Sequence, residues 1–235
     1  MKLSVIIPVY NEEMTIEELL ERVMQVDLGE SIEVEIIIAN DGSTDGSAEV
    51  IKKFPAVQYL LQTNAGISAT RNRGIEHAQG DFLAFLDADD KWVENKIVLQ
   101  MAAFDNDPKL DIVFGHVQQF FSPELADLKN DQSAELELMP GYIPSTLLIK
   151  RDAFLQVGLF ETNWKMGEFA SWYLRSLEQG LQQLMLPDLV ALRRLHDSNN
   201  GLQQRSSINN YIHIIKASLD RRRSAINREE TRDIK

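Results

Sequence analysis

The first 105 residues alternate between two periodicities, and that alternation limits the possible folds more than any other feature of the chain. Leu3–Val9 is a short run rich in β-branched residues, as in a strand buried on both faces. Pro8 stands near its far end, where a missing N–H is tolerated. Ile16, Leu19, Leu20 and Val23 follow at i, i+3, i+4 and i+7, a helical stripe, and Thr15 with Glu18 fits a capping box. Val34–Ala39 reads as a second strand. The Asn-Asp-Gly-Ser-Thr-Asp-Gly turn after it offers Ser43, Thr44 or Asp45 as a cap for a helix over Ala48–Phe54. Val57–Leu61 reads as a third strand, 67–79 as a helix closed by Gly80, and Phe82–Leu86 as a fourth strand.

Wholly apolar strands separated by helices predict an α/β fold with a mostly parallel central sheet. Short right-handed crossovers then bring the strand C-termini to one edge, where such sheets bind ligands. Glu12-Glu13, Asp41 and Asp87-Ala88-Asp89-Asp90 all fall at those ends. The second half is less regular. Its expected elements are a helix over Trp92–Phe104, a longer strand over Asp111–Phe121, a mobile polar loop over 122–140 and a short strand over Ser145–Ile149. Helices are expected over 151–157 and Glu168–Gln179, then an edge strand over Leu184–Leu192, which contains Pro187, and a C-terminal helix over Ile208–Ile226.

Composition removes whole classes of function. The 235 residues hold 24 Lys and Arg against 36 Asp and Glu, a formal charge of −12 that argues against sequence-independent nucleic-acid binding. The absence of cysteine excludes disulfides, thiol nucleophiles and thiolate metal sites. No apolar run approaches the roughly 18 residues needed to span a bilayer, and the N-terminus does not read as a secretory signal. A cytoplasmic location is the expectation. The last sixteen residues are net +2, and Arg221-Arg222-Arg223 reads as a solvated helix face or a weak contact with anionic lipid, peripheral at the inner membrane face.

Asp87 and Asp89 are separated by one residue, so in an extended segment both carboxylates face one side. A hard divalent cation that also takes substrate phosphates suits such a pair, although for D-x-D taken alone a polar loop capping the next helix is the commoner reading. Asp41 could accept a hydrogen bond from a nucleobase N–H or a ribose hydroxyl, or serve only its turn.

SVIIPVYNEE at 4–13, EIIIANDGSTDGS at 35–47, NAGISATRNRGIEHAQGDFLAFLDADD at 64–90 and PSTLLIKRDAFLQVGLFE at 144–161 together resemble the family 2 glycosyltransferases. The resemblance covers about residues 3–197 and implies a GT-A, Rossmann-like fold. It divides the chain into a domain at 1–200, with a nucleotide-sugar half at 1–105 and an acceptor half at 106–200, and a helical extension at 201–235. The implied reaction is inverting, metal-dependent transfer of a sugar from a nucleotide diphosphate sugar, UDP ahead of dTDP or GDP. The acceptor hydroxyl would belong to a glycan, a lipid-linked sugar, a peptide or a small molecule. Matched residue by residue, Pro8, Tyr10 and Glu12 stand in the loop that lines the nucleotide, and Asp41 stands where an acid meets the uracil or its ribose. Gly66 and Arg71 stand in the block that closes over base and diphosphate. Asp87 and Asp89 occupy the D-x-D positions, with Asp89 and His196 as the ligands of Mg2+ or Mn2+.

Glu168 is the candidate general base. Similar enzymes show a Glu-Asp pair at this helix start, whereas here Phe169 takes the Asp position. That departure keeps open an alternative, a catalytically lapsed nucleotide-sugar-binding or protein-interaction module of the same fold. A homodimer is compatible with either. Trp92, Trp164 and Trp172 read as core or cleft-wall residues, with Trp164 the best placed for acceptor stacking.

Overall fold

The computed structural model describes residues 1–26, 32–122, 137–164, 166–196 and 208–233. Four parallel strands, β1 (Lys2–Val9), β2 (Glu33–Asn40), β3 (Gln58–Leu61) and β4 (Phe82–Phe85), stand in the order β3-β2-β1-β4. The sheet continues through β8 (Leu148–Lys150, antiparallel to β4), β6 (Ile112–Phe121), β9 (Gln183–Leu195, parallel to β6) and β5 (Lys91–Trp92), with β7 (Met139–Pro140) paired to β6. This is the α/β fold that the sequence predicts, parallel across its first four strands and mixed over the sheet as a whole.

Period-two alternation on fully buried strands gives the sheet two apolar faces. Val5, Ile7 and Val9 of β1 pack with α1 (Ile16–Met24), α2 (Ser47–Ile51) and α4 (Lys96–Asn106). Ile6, Ile37, Leu83 and Phe85 pack with α3 (Ile67–His77), α5 (Arg151–Val157) and α6 (Glu168–Glu178). Each fully buried Ile or Leu contributes about 1.5–3 kcal/mol relative to exposure. Pro8 is buried inside β1, yet no ladder bond is lost. The β1–β4 register ends at Ile6↔Phe85, and Ile6 turns its carbonyl to β4, so Pro8, two residues on, directs its missing N–H past the end of that ladder.

Three local expectations change. Thr15 is the N-cap of α1, but no capping box forms, because its Oγ1 donates to Glu12 Oε2 at 2.6 Å instead. The helix expected from Trp92 begins at Lys96: Trp92 pairs with Ala191 in β5 and donates Nε1–H to the Ser145 carbonyl at 2.8 Å. The strand holding Pro187 is not at the sheet edge. It lies between β6 and β5, and Pro187 falls where the β6–β9 register shifts, a bulge that tolerates proline. His116 Nδ1 lies 2.7 Å from the Leu186 carbonyl at that bulge. Of the loop expected over 122–140, residues 123–136 lie outside the described residues, and Met139 and Pro140 pair with β6.

The last described helix, α7 (Ile208–Asp233), packs along α6. Ser218 Oγ and Arg221 Nε both donate to the Glu178 carboxylate at 2.6 Å. Ile214 fills the space over Gly167 at the other end of α6.

Candidate active site

The loops after β1, β2 and β4 leave the same edge of the sheet, so Glu12, Asp41 and Asp89 share one side of the molecule. The first two loops brace each other. Asn11 takes a left-handed conformation (φ 57°), which Asn tolerates better than other non-glycine residues. Its N–H donates to Ser43 Oγ at 3.0 Å, and its Oδ1 accepts the Thr44 N–H at 2.8 Å. The Glu12 N–H reaches Ser47 Oγ at 2.8 Å, and Glu13 accepts the Gly46 N–H at 3.0 Å. The N-cap of α2 is Gly46 and not one of the three candidates before it, although Asp45, one residue earlier, accepts the Ser47 N–H at 3.0 Å. Tyr10 is left exposed at the rim.

Asp41 is buried and fully engaged. Oδ1 accepts from Gln62 Nε2 at 2.7 Å and from the Ala65 N–H at 2.8 Å, and Oδ2 accepts the Gly66 N–H at 2.9 Å. The carboxylate thus shapes the loop that enters α3. Gly66 has φ +86°, and a Cβ there would meet open space, so the conformation and not crowding requires glycine.

Arg71, 3% exposed, projects from α3 between two acids. Its two terminal nitrogens donate to Glu168 Oε1 at 2.8 Å and to Asp87 Oδ1 at 2.6 Å. Burial works against the guanidinium charge, but the two carboxylates more than offset it and hold the pKa above its ordinary value. Its Nε is buried without a partner. Glu168 opens α6 immediately after Gly167, which is left-handed (φ 86°). Oε1 of Glu168 is taken by Arg71, and no hydrogen bond ties Oε2 to another described residue.

Asp89 faces the other way along the same loop: Oδ2 lies 2.9 Å from His196 Nε2 at the end of β9. Glu12 approaches this pair. Burial, and after it the nearby Asp89 charge, raise its pKa, while the Thr15 hydroxyl opposes the shift. Two donor atoms 2.9 Å apart match adjacent positions on a Mg2+-sized ion, whose ligands sit at about 2.0–2.1 Å. Among the described residues no group of three or more potential ligands is assembled. A cation that keeps water and substrate phosphate in its sphere asks for only one or two protein donors, and Asp89 with His196 supplies two.

Three residues given no individual role by the sequence organise this loop. Asp90, 5% exposed, accepts from Ser145 Oγ at 2.7 Å and from the Arg194 N–H at 3.1 Å. Burial, then Asp89 and Asp87, push its pKa well up. The Ser145 hydroxyl also accepts the Asp87 N–H at 3.2 Å, and Arg194 Nε donates to the Asp89 carbonyl at 3.0 Å. Asp90 was visible as the last acid of D-A-D-D. Ser145 and Arg194 carried no local signal, because they meet that motif across separations of 55 and 104 residues.

The Phe169 position is apolar in fact as well as in sequence. Its ring is buried against Trp172 and Tyr173 at 6.0 and 6.5 Å, and Phe114 meets it edge-on. Trp172 is fully buried, and Trp92 nearly so. Trp164 donates to Glu161 Oε2 at 2.6 Å and remains partly exposed.

Known proteins are similar to this chain in sequence or in fold. GlyA, a glycosyltransferase of Streptococcus pneumoniae, is 35% identical over 127 residues, 52% of this chain and 18% of GlyA. Residues 1–349 of S. aureus TarS in complex with UDP-GlcNAc superpose with a TM-score of 0.67 at 21% identity, covering 87% of this chain and 61% of that one. The mannosyltransferase PcManGT of Pyrobaculum calidifontis, solved with GDP-Man and Mn2+, gives 0.62 at 19%, covering 84% and 58%. The chain thus spans less than two thirds of each of these proteins, and the likeness to the two solved structures establishes a shared GT-A fold. The description Glycosyl transferase family 2 matches residues 4–169, most of the chain and every block from the first strand to the start of α6, so this chain belongs to glycosyl transferase family 2.

Proposed function

We propose that this chain transfers a sugar from a UDP-sugar to an acceptor hydroxyl with inversion, using Mg2+ or Mn2+ held by Asp89 and His196. The observation that carries this reading is the Arg71 bridge. It sets Glu168, from the second half of the chain, one guanidinium away from Asp87 of the D-x-D segment. UDP-GlcNAc on TarS supports the donor class, and Mn2+ with GDP-Man on PcManGT supports a divalent metal with a nucleotide sugar.

A divalent cation bound at Asp89 and His196 would supply Lewis-acid stabilisation to the departing diphosphate. The remaining roles belong to the chain. Tyr10, Glu12 and the loop shaped by Asp41 and Gly66 line the nucleotide, with Pro8 fixing where that first loop leaves the sheet. Arg71 holds Asp87 and Glu168 in place at the centre. Glu168 Oε2 receives the acceptor hydroxyl proton as the nucleophilic oxygen forms its bond on the face opposite the leaving group.

Phe169 favours one competing reading, a nucleotide-sugar binder that no longer turns over. Calorimetry with UDP, with and without Mn2+, followed by a donor-hydrolysis assay, separates the two. The enzyme binds UDP in a metal-dependent way and hydrolyses donor; the binder only binds. Asp89→Ala should abolish the metal-dependent part of UDP affinity and leave the circular dichroism unchanged. Undiminished affinity in Mn2+ would refute the metal assignment.

A further inference from the structure

The outward face of α7 has no part in the transfer reaction, yet it is the most apolar exposed helix face among the described residues. Tyr211, Ile212, Ile215 and Leu219 are 41, 59, 55 and 47% exposed, while Ile214 and Ser218 turn inward to α6. At about 100° per residue, these four side chains fall within an arc of about 100°. Lys216, Arg222 and Arg223, all exposed, lie inside that arc or within about 40° of it. Asp220, the one acid among residues 209–224, points about 80° beyond its nearest edge. Arg221 is committed to Glu178 on the inward side.

An apolar stripe bordered by cations, with the acid turned away, is the pattern of a helix that lies in a lipid interface. We propose that this face of α7 docks on an anionic bilayer surface. The charge pattern selects that partner over a second copy. A two-fold pairing along the stripe would bring the cations of both copies to one seam and leave Asp220 outside it. No described helix is long and apolar enough to cross a membrane, so the contact is one of lying on the surface. The edge of the docked face is also near the catalytic end of α6: a Tyr211 ring carbon lies 3.4 Å from the point where a Cβ on Gly167 would sit, one residue before Glu168. Docking would hold that end of the cleft close to the bilayer.

The test is co-sedimentation of the full chain with vesicles of phosphatidylcholine alone and of phosphatidylcholine with phosphatidylglycerol, at low and at physiological salt. Binding to the anionic vesicles, weakened by salt, is expected. Ile212→Glu with Ile215→Glu should abolish it while thermal unfolding stays cooperative. Lys216→Ser, Arg222→Ser and Arg223→Ser together should weaken it about 100-fold, at about 1 kcal/mol for each cation near an anionic surface. Absence of binding to anionic vesicles overturns the proposal. So does a concentration-dependent dimer that Ile215→Glu dissociates and that ignores vesicles. Sedimentation reads no turnover, so its outcome is independent of the transfer reading.

Discussion

Glu168 meets two demands, because the carboxylate proposed as general base also anchors a buried arginine. The pairing uses Oε1 only, and Arg71 divides its charge between Glu168 and Asp87. Removing one partner of such a buried group typically costs 3–5 kcal/mol, so alanine at 168 would confound chemistry with folding. Glu168→Gln keeps an oxygen for Arg71 and removes the proton-accepting charge. UDP affinity should stay at the wild-type level while turnover falls at least 10²-fold, the low end for loss of a general base; wild-type turnover would place the base elsewhere. Lys96 poses a different problem. It is fully buried beneath the 144–147 turn, with Gln100 Oε1 at 2.6 Å and the Trp92 ring centroid at 4.5 Å, and burial holds its pKa well below 10.5. Between that lowered value and 10.5 the unfolded chain binds a proton that the folded chain does not, so stability rises with pH across this window. Lys96→Met should flatten the rise, read as the change in Tm from about pH 7 to about pH 10 in parallel scans; parallel slopes in the two proteins would show that Lys96 is charged when folded.

The elements of the first half follow from local pattern because β1, β4 and the inner part of β2 are buried on both faces, so a short apolar run marks each of them. Gly74 shows how tight the match is. A Cβ there would lie 2.5 Å from Ile6 Cγ2, and Ile6 is a fully buried, β-branched residue of the central strand with little rotamer freedom. Gly74→Ala gains about 0.5–1 kcal/mol of helix propensity but incurs about 1–3 kcal/mol of overpacking. The net expectation is a loss of about 1 kcal/mol, read as a lower urea midpoint at constant slope. The second half was less legible for a physical reason. Trp92 and Ser145 are fixed by partners dozens of residues away, so a helical pattern at 92 yields to a strand pair, and a strand pattern at 145 becomes a turn (Pro144–Thr146). The same holds at the site. Acids at strand ends could be read locally, whereas the Arg71 bridge, at separations of 16 and 97 residues, required the fold.

At the scale of the whole molecule, charge works against the proposed ligand. The chain carries −12, and the acidic residues at the sheet edge crowd the place where an anionic diphosphate would sit, with Arg71 already neutralised by its two partners. Long-range repulsion should therefore oppose UDP in the absence of a divalent cation, and salt should relieve it. Raising ionic strength from about 0.01 M to about 0.15 M shortens the screening length from about 30 Å to about 8 Å, from beyond the size of the cleft to within it. In chelator, UDP affinity should thus improve a few-fold over that range. With saturating Mn2+ the dominant local term becomes attraction between a cation and the acidic edge, and the same salt should weaken binding. A reversal in the sign of the salt dependence on adding metal, measured by calorimetry at matched pH, is the outcome expected if a cation at Asp89 mediates the encounter. An unchanged sign would mean that the diphosphate is received by groups other than the acids after β4.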